Sequence, residues 1–347
     1  DHSLRHGHAG GGVPPDEPFV EGVLERRAED SPDDRDRPLV EHPASGELVV
    51  PAGDVRAVEL VEAEMKRPDQ LRAAMEGIDV LFHAAAVYSV AEADRNQEIL
   101  DSSLRGAEAA LRAAADARVG KVVLTSSIVT LPMTAPGAPP STEADWTEDT
   151  RIVYFRAKKE AEQLAWKLAG ELKLNLATVL PGQIGGPGFQ RNTPTLDQIE
   201  AMMSGAFRMG VPDLNMLYVD VRDVASAHLL AAERDGRGRF IAVNDEAPTW
   251  RRIMEVMHGI DSRVKPALLT LPRAMNPFLV HFDWLFSMVY GIQRTASPEV
   301  IGTVIGRRFN ASNRRAREVL GWAPKVSLED SLRDTMAALR ARRGEKT

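Results

Sequence analysis

From Val55 onward the chain alternates short apolar runs with longer stretches of helical period. Ile78-Asp-Val-Leu-Phe-His83, Lys121-Val-Val-Leu-Thr125 and Leu174-Asn-Leu-Ala-Thr-Val-Leu180 are nearly continuous in apolar residues. That is the pattern of strands covered on both faces rather than one. Between them, residues 95–117 repeat Ile99, Leu100, Leu104, Ala107, Leu111 and Ala114 at helical spacing. Pro68–Gly77 predicts a shorter helix with Leu71, Ala74 and Met75 inward, Val58–Val61 a short strand, and the segment holding Tyr154 a helix to about Leu172. Strands alternating with helices predict an α/β chain with a doubly wound parallel sheet. In such sheets ligands bind beyond the carboxyl ends of the strands, where Ala84, Ser127 and Pro181 fall.

Past residue 190 the alternation loosens. Thr195–Phe207 reads as a helix, Leu217–His228 as a strand passing into a helix, and Arg239–Val243 as a strand. Residues 266–292 are apolar but broken by Pro272, Pro277, His281 and Asp283. We read them as a core or substrate-pocket helix pair in preference to a membrane-surface contact. Ala316–Leu339 predicts two helices around Gly321-Trp-Ala-Pro324. Residues 1–54 differ in kind, with Pro14-Pro15, Asp33-Asp34-Arg35-Asp36-Arg37-Pro38 and Pro43 interrupting any long element. Only Phe19–Ala28 has a helical pattern there. The expected organisation is a loosely ordered segment over 1–54, a core over 55–190 and a smaller α/β substrate lobe over 191–347, with 217–243 returning to the core sheet.

Composition narrows the chemistry. A net charge of -7, from 43 basic and 50 acidic residues, leaves no basic excess for nucleic acid. The chain has no cysteine, which removes disulfides, thiolate catalysis and cysteine zinc sites. His2, His6 and His8 have metal-like spacing without a supporting carboxylate framework, so no metal site is expected. No secretory signal is read, and no apolar run reaches the roughly 18 residues of a membrane span, so a cytoplasmic protein is expected.

Tyr154 and Lys158 stand four residues apart, on one helical face. An ammonium beside a phenol favours the phenolate and makes the tyrosine a usable proton donor or acceptor. By spacing alone such a pair is commonly a surface contact. Between a strand ending in Thr125-Ser-Ser127 and one followed by Pro181-Gly-Gln-Ile-Gly-Gly-Pro-Gly188, it points to a proton-relay site. His83, inside an apolar run, is expected to be a packed side chain, and Asp220, Arg222 and Asp223 a structural ion-pair cluster.

Several stretches together resemble the extended short-chain dehydrogenase/reductase family, within the epimerase/dehydratase superfamily, on its dihydroflavonol-reductase-like branch of aldehyde and ketone reductases. They are Val80–Ala86, Val122–Ser127, Glu143-Ala-Asp-Trp146, Tyr154 with Lys158 and Ala161-Glu162, Pro181–Pro187, Val219–His228 and Leu320–Pro324. The resemblance implies a Rossmann-like fold and a Ser127, Tyr154, Lys158 triad that reduces a carbonyl with NADP, or alternatively NAD. It implies that Ala84, Ala85 and Ala86 line the middle of the cofactor, and Pro181, Gly182, Gln183 and Ile184 the nicotinamide amide. Glu64 and Met65 would stand near the adenine, and Thr125 and Ser126 in the same cleft. A homodimer through residues 95–117 and 156–172 is a further implication.

Two positions depart from the family pattern. The first strand and its Gly-x-x-Gly-x-x-Gly turn are not recognisable, since Gly10-Gly11-Gly12 follows no apolar strand and precedes Pro14-Pro15. Ser103 stands where the long helix usually has Asn. The leading expectation is reduction of an aldehyde or ketone in a small molecule. A sugar-nucleotide epimerase or dehydratase ranks lower, because residues 189–220 offer only Arg191 and Arg208 to a diphosphate. A non-catalytic relative without cofactor affinity is the third reading.

Overall fold

A computed structural model describes residues 61, 63–65, 67–84, 96–189, 191–234, 236–271, 288, 298–304 and 306–344, with strand pairs at 24–25, 40–41, 48–49 and 58–59. The pairs are β1 (Leu24–Glu25) with β4 (Val58–Glu59), and β2 (Val40–Glu41) with β3 (Leu48–Val49), both antiparallel. The helix expected over Phe19–Ala28 is therefore corrected at Leu24–Glu25. Leu and Glu favour helix locally, but propensity is a weak prior that pairing with β4 overrides. Of the strand expected over Val58–Val61, Val58–Glu59 is strand and Val61 is not.

α1 (Pro68–Ala74) leads into β5 (Val80–His83), α2 (Asn96–Asp116) and β6 (Lys121–Thr125). α3 (Val153–Leu172), β7 (Leu176–Pro181), α5 (Val221–Glu233) and β10 (Gly238–Ala242) complete the core. The strands pair in parallel in the order β10-β7-β6-β5. Period-two alternation sorts their side chains between the two faces. Leu81, Val122, Leu124 and Leu176 pack with Leu111 and Ala114 of α2 and with Ala165 and Leu168 of α3. Val123, Ala177, Val179 and Phe240 pack on the other face with Ala227 and Ala231 of α5 and with Trp322. Helices on both faces explain why these strands read as continuously apolar.

The remaining elements are β8 (Gln183–Gly185), α4 (Pro194–Ser204), β9 (Tyr218–Asp220), α6 (Trp250–Ile260), α7 (Pro298–Val304) and α8 (Leu328–Arg342). α4, α6 and α8 share one core containing Leu196, Ile199, Met202, Trp250, Ile253, Met257, Leu332 and Met336. α6 was not read from sequence. Its signal was nevertheless present: Trp250, Ile253, Met254 and Met257 are buried at i, i+3, i+4 and i+7, and the Thr249 side chain accepts from the Arg252 amide as N-cap. The first of the two C-terminal helices is a single π-turn, Ala316–Leu320, ended by Gly321 at φ 68°. Most of 266–292 lies outside the described residues. Among the described residues, no helix is long and apolar enough to cross a membrane.

Gly182 and Gly185 carry β8 past β9. A Cβ on Gly182 would sit 1.8 Å from the Leu217 carbonyl oxygen, and one on Gly185 1.7 Å from the Tyr218 hydroxyl. Gly185 is thus the last residue of a strand, and the backbone turns at Gly186, φ 114°.

Candidate active site

Adjacent parallel strands bring Ala84, Thr125-Ser126-Ser127 and Pro181 to the same edge of the sheet. Ser127 leaves β6 in extended conformation and caps a 3-10 turn over Ile128–Thr130, its Oγ accepting from the Val129 amide at 3.4 Å. Val129 packs in one small cluster with Ile152, Tyr154 and Phe155, which sets the start of α3 against the turn that follows Ser127. Tyr154 is 8% exposed.

One helical turn further along α3, Lys158 Nζ donates to the Thr125 carbonyl oxygen at 3.4 Å. Burial lowers its pKa to about 8, against the opposing pull of the Glu162 carboxylate. His83, at the end of β5, is also buried, and burial plus the Lys158 charge lower its pKa to about 4, so it is neutral at pH 7. The packed reading of His83 agrees with this. Thr125 makes a second contact, 2.7 Å from Oγ1 to His228 Nε2. Because His228 Nδ1 lies 2.8 Å from the Val224 carbonyl and must donate there, Nε2 is the acceptor and the Thr125 hydroxyl donates.

The other predicted positions separate. Ser126 turns its hydroxyl inward and donates to Glu162 Oε2 at 2.6 Å. The Gln183 backbone N–H donates to the Leu217 carbonyl, while its side-chain Oε1 is buried without a hydrogen-bond partner. Gly182 and Ile184 belong to the β8 crossing. Glu64 is exposed, and the Met65 methyl lies in the notch left by Gly106 on α2. Ala85 and Ala86 lie outside the described residues, as does the region where a first glycine-rich turn would fall. Ser103 is half-buried on α2. A cleft lined by Pro132, Met133, Trp146–Arg151 and Arg307 includes none of the triad.

The cluster at Asp220, Arg222 and Asp223 is structural in its contacts. Asp220 accepts from Arg222 at 2.7 Å and from Ser331 of α8 at 2.5 Å. Asp223 accepts from the amides of Lys325 and Val326, each at 3.0 Å, and its carbonyl accepts from Trp322 Nε1. Sequence reasoning passed over Arg239 as a side chain and gave Glu162 no role. A charged residue inside Gly238-Arg-Phe-Ile-Ala242, and a carboxylate one turn after Lys158, were the signals.

The fold is that of an extended short-chain dehydrogenase/reductase, on the dihydroflavonol-reductase-like branch. The chain belongs to the 3-beta hydroxysteroid dehydrogenase/isomerase family, whose model matches residues 45–236, more than half of the chain. It is 31% identical over 191 residues to cinnamoyl-CoA reductase 1 of Arabidopsis thaliana, covering 52% of this chain and 54% of that one. Similarity to sterol demethylase protein B of Methylococcus capsulatus is longer, 29% over 303 residues, covering 84% and 88%. The matched part spans 54% to 61% of the length of the cinnamoyl-CoA reductases it resembles. Among solved structures, gox2253 superposes with a TM-score of 0.71 at 25% identity, covering 87% of this chain and 90% of that one. UDP-glucose 4-epimerase of Thermotoga maritima, at 20% identity and TM-score 0.63 over 87% and 90% of the two chains, shares the fold.

Proposed function

We propose that this protein reduces the aldehyde or ketone of a fairly apolar small molecule, with a nicotinamide dinucleotide as hydride source and Tyr154 as proton donor. The observation that carries this reading is Lys158: a half-buried lysine whose ammonium is anchored on the Thr125 carbonyl, one turn from Tyr154, at the strand end that bears Ser127. A buried charge is retained against its desolvation cost, and a perturbed lysine in a strand-end crevice is a functional-site signature.

The donor set of the described residues suits the nicotinamide-ribose half of such a cofactor. Lys158 would hold the ribose hydroxyls, and the chain around Pro181–Ile184 would flank the ring amide. When bound, the reduced nicotinamide supplies the hydride. Ser127 Oγ donates a hydrogen bond to the substrate carbonyl oxygen. Tyr154 Oη transfers its proton to that oxygen as negative charge develops there. Lys158 lowers the cost of leaving the phenolate behind.

The names of the relatives guide the substrates to test: cinnamaldehyde, cinnamoyl-CoA and a 3-ketosteroid, with UDP-glucose for the epimerase alternative. NADPH is the first cofactor to try and NADH the second. Oxidation of the reduced cofactor by a carbonyl substrate, lost in Tyr154→Phe, is the expected result. Unchanged turnover in Tyr154→Phe would refute the mechanism, and turnover of UDP-glucose alone would transfer the protein to the epimerase class.

A further inference from the structure

Two opposite charges lie where the core excludes water: Glu162 is 1% exposed and Arg239 is 7% exposed. Glu162 Oε1 accepts from Arg239 Nε at 2.9 Å and from Thr178 Oγ1 at 2.7 Å. Its Oε2 accepts from the Ser126 hydroxyl at 2.6 Å. Arg239 Nη2 also donates to Glu162 Oε2 at 3.4 Å, and both terminal nitrogens bond outward from the pair. Nη2 donates to Thr130 Oγ1 at 2.8 Å, and Nη1 donates to the carbonyls of Glu143 at 2.8 Å and Asp145 at 2.7 Å. Its guanidinium lies 3.6 Å from the centre of the Trp146 ring.

The pair reaches Ser127 by two routes. Along one, Glu162 holds the hydroxyl of Ser126, the residue immediately before it. Along the other, Arg239 holds Thr130, whose hydroxyl donates to the Ser127 carbonyl oxygen at 2.9 Å. Thr130 also receives the Thr147 amide at its carbonyl, 2.8 Å, so the loop through Trp146 is fastened to the same turn. Register explains the assembly: Arg239 of β10 stands opposite Thr178 of β7, and Thr178 opposite Leu124 of β6.

We infer that the Glu162–Arg239 ion pair is a positioning device for the reductase centre, fixing the direction of the Ser127 hydroxyl and the loop through Glu143–Trp146. This rests on the function proposed above. Stability alone is a weak reason for a buried ion pair, since well-packed apolar residues of similar volume commonly serve as well or better. Apolar residues cannot supply directed bonds to Ser126, Thr130 and two loop carbonyls at once. The pair can: Glu162 accepts from Ser126, and the planar fork of Arg239 presents five donors in fixed geometry to Thr130 and the loop carbonyls, where lysine presents one compact ammonium.

The test uses Arg239→Lys, which keeps the charge but loses the fork, and Thr130→Val, which leaves the ion pair intact and cuts one route to Ser127. Both are compared with wild type and Tyr154→Phe, with kcat referred to the folded fraction. The expected result in both is a fall of roughly 10- to 100-fold in kcat, with cofactor KM changed by less than about threefold. Hydrogen exchange should rise in peptides covering 126–131 and 142–148 and stay unchanged across 250–260. A kcat within about twofold of wild type in folded Thr130→Val and Arg239→Lys would overturn the inference. So would exchange that rises uniformly or not at all. If the wild type reduces no carbonyl, the reductase reading has failed, and the exchange pattern alone then decides whether the pair fixes the Ser127 turn.

Discussion

Lys158 Nζ and the carbonyl oxygen of Thr125 are joined across 3.4 Å, tying the helix that bears Tyr154 to the end of the strand that bears Ser127. The bond holds the ammonium of a half-buried lysine, and its pKa falls to about 8 because desolvation outweighs the favourable Glu162 carboxylate. As pH rises through about 8, Lys158 loses the charge that eases proton loss from Tyr154. Reductive kcat is expected to fall along that limb, and Lys158→Met should be nearly inactive at every pH. A pH profile of kcat at saturating cofactor checks this.

The same shift has a consequence for stability. Lysine titrates near 10.5 when unfolded and near 8 here, so between those values the unfolded state binds more protons and stability rises with pH. At pH 7 the folded state bears the full cost of the buried charge. Lys158→Met is therefore expected to be more stable than wild type at pH 7, by about 1–3 kcal/mol in urea unfolding.

His83 predicts acid sensitivity. Its pKa is lowered to about 4, first by burial and then by the Lys158 charge. Below about 6.5 the unfolded chain takes up a proton that the folded chain refuses until about pH 4, so its stabilising contribution falls as pH falls through that window. Between pH 7 and pH 5 wild type should lose about 2 kcal/mol more than His83→Gln. Paired urea titrations at the two pH values measure the difference.

Gly182, just before β8, and Gly185, at its end, predict different kinds of failure. In Gly182→Ala the new methyl meets the backbone oxygen of Leu217, which cannot move without breaking the β8–β9 pairing. In Gly185→Ala it meets the side chain of Tyr218. Both should destabilise by more than about 3 kcal/mol. Adding Tyr218→Val should recover part of the loss only for Gly185→Ala, as read by thermal unfolding of the single and double variants.

Asp223 fastens the segment before α8 by accepting the Lys325 and Val326 amides. Asp223→Ala leaves both donors without that partner and is expected to cost about 2–3 kcal/mol. Limited proteolysis should then cut near 323–327 before any other site.

The elements legible in the sequence were those whose pattern has a local physical cause. Val122-Val-Leu and Leu176-Ala-Thr-Val are nearly continuous in apolar residues because each strand is covered on both faces, and α2 carries its burial at helical spacing. The placement of Ser127 just past a strand end, and of Tyr154 and Lys158 one turn apart on a helix, was legible because strand ends and a four-residue helical spacing are local features. Leu24–Glu25 was misread because its strand conformation comes from pairing with Val58–Glu59, far away in the chain.

The sequence by itself determined the alternating strands and helices, the edge of the sheet where a ligand would sit, and the residue types available for proton transfer. Only the tertiary structure decided that Ser126 faces inward to Glu162 while Ser127 caps the turn packed against the start of the Tyr154 helix. It also decided that Arg239 reaches Glu162 and Thr130, 77 and 109 residues away. Periodicity reports which residues are buried, because burial on a helix or strand repeats with the backbone. It carries no record of which buried polar groups meet, because that depends on strand order and register, set when the sheet assembles.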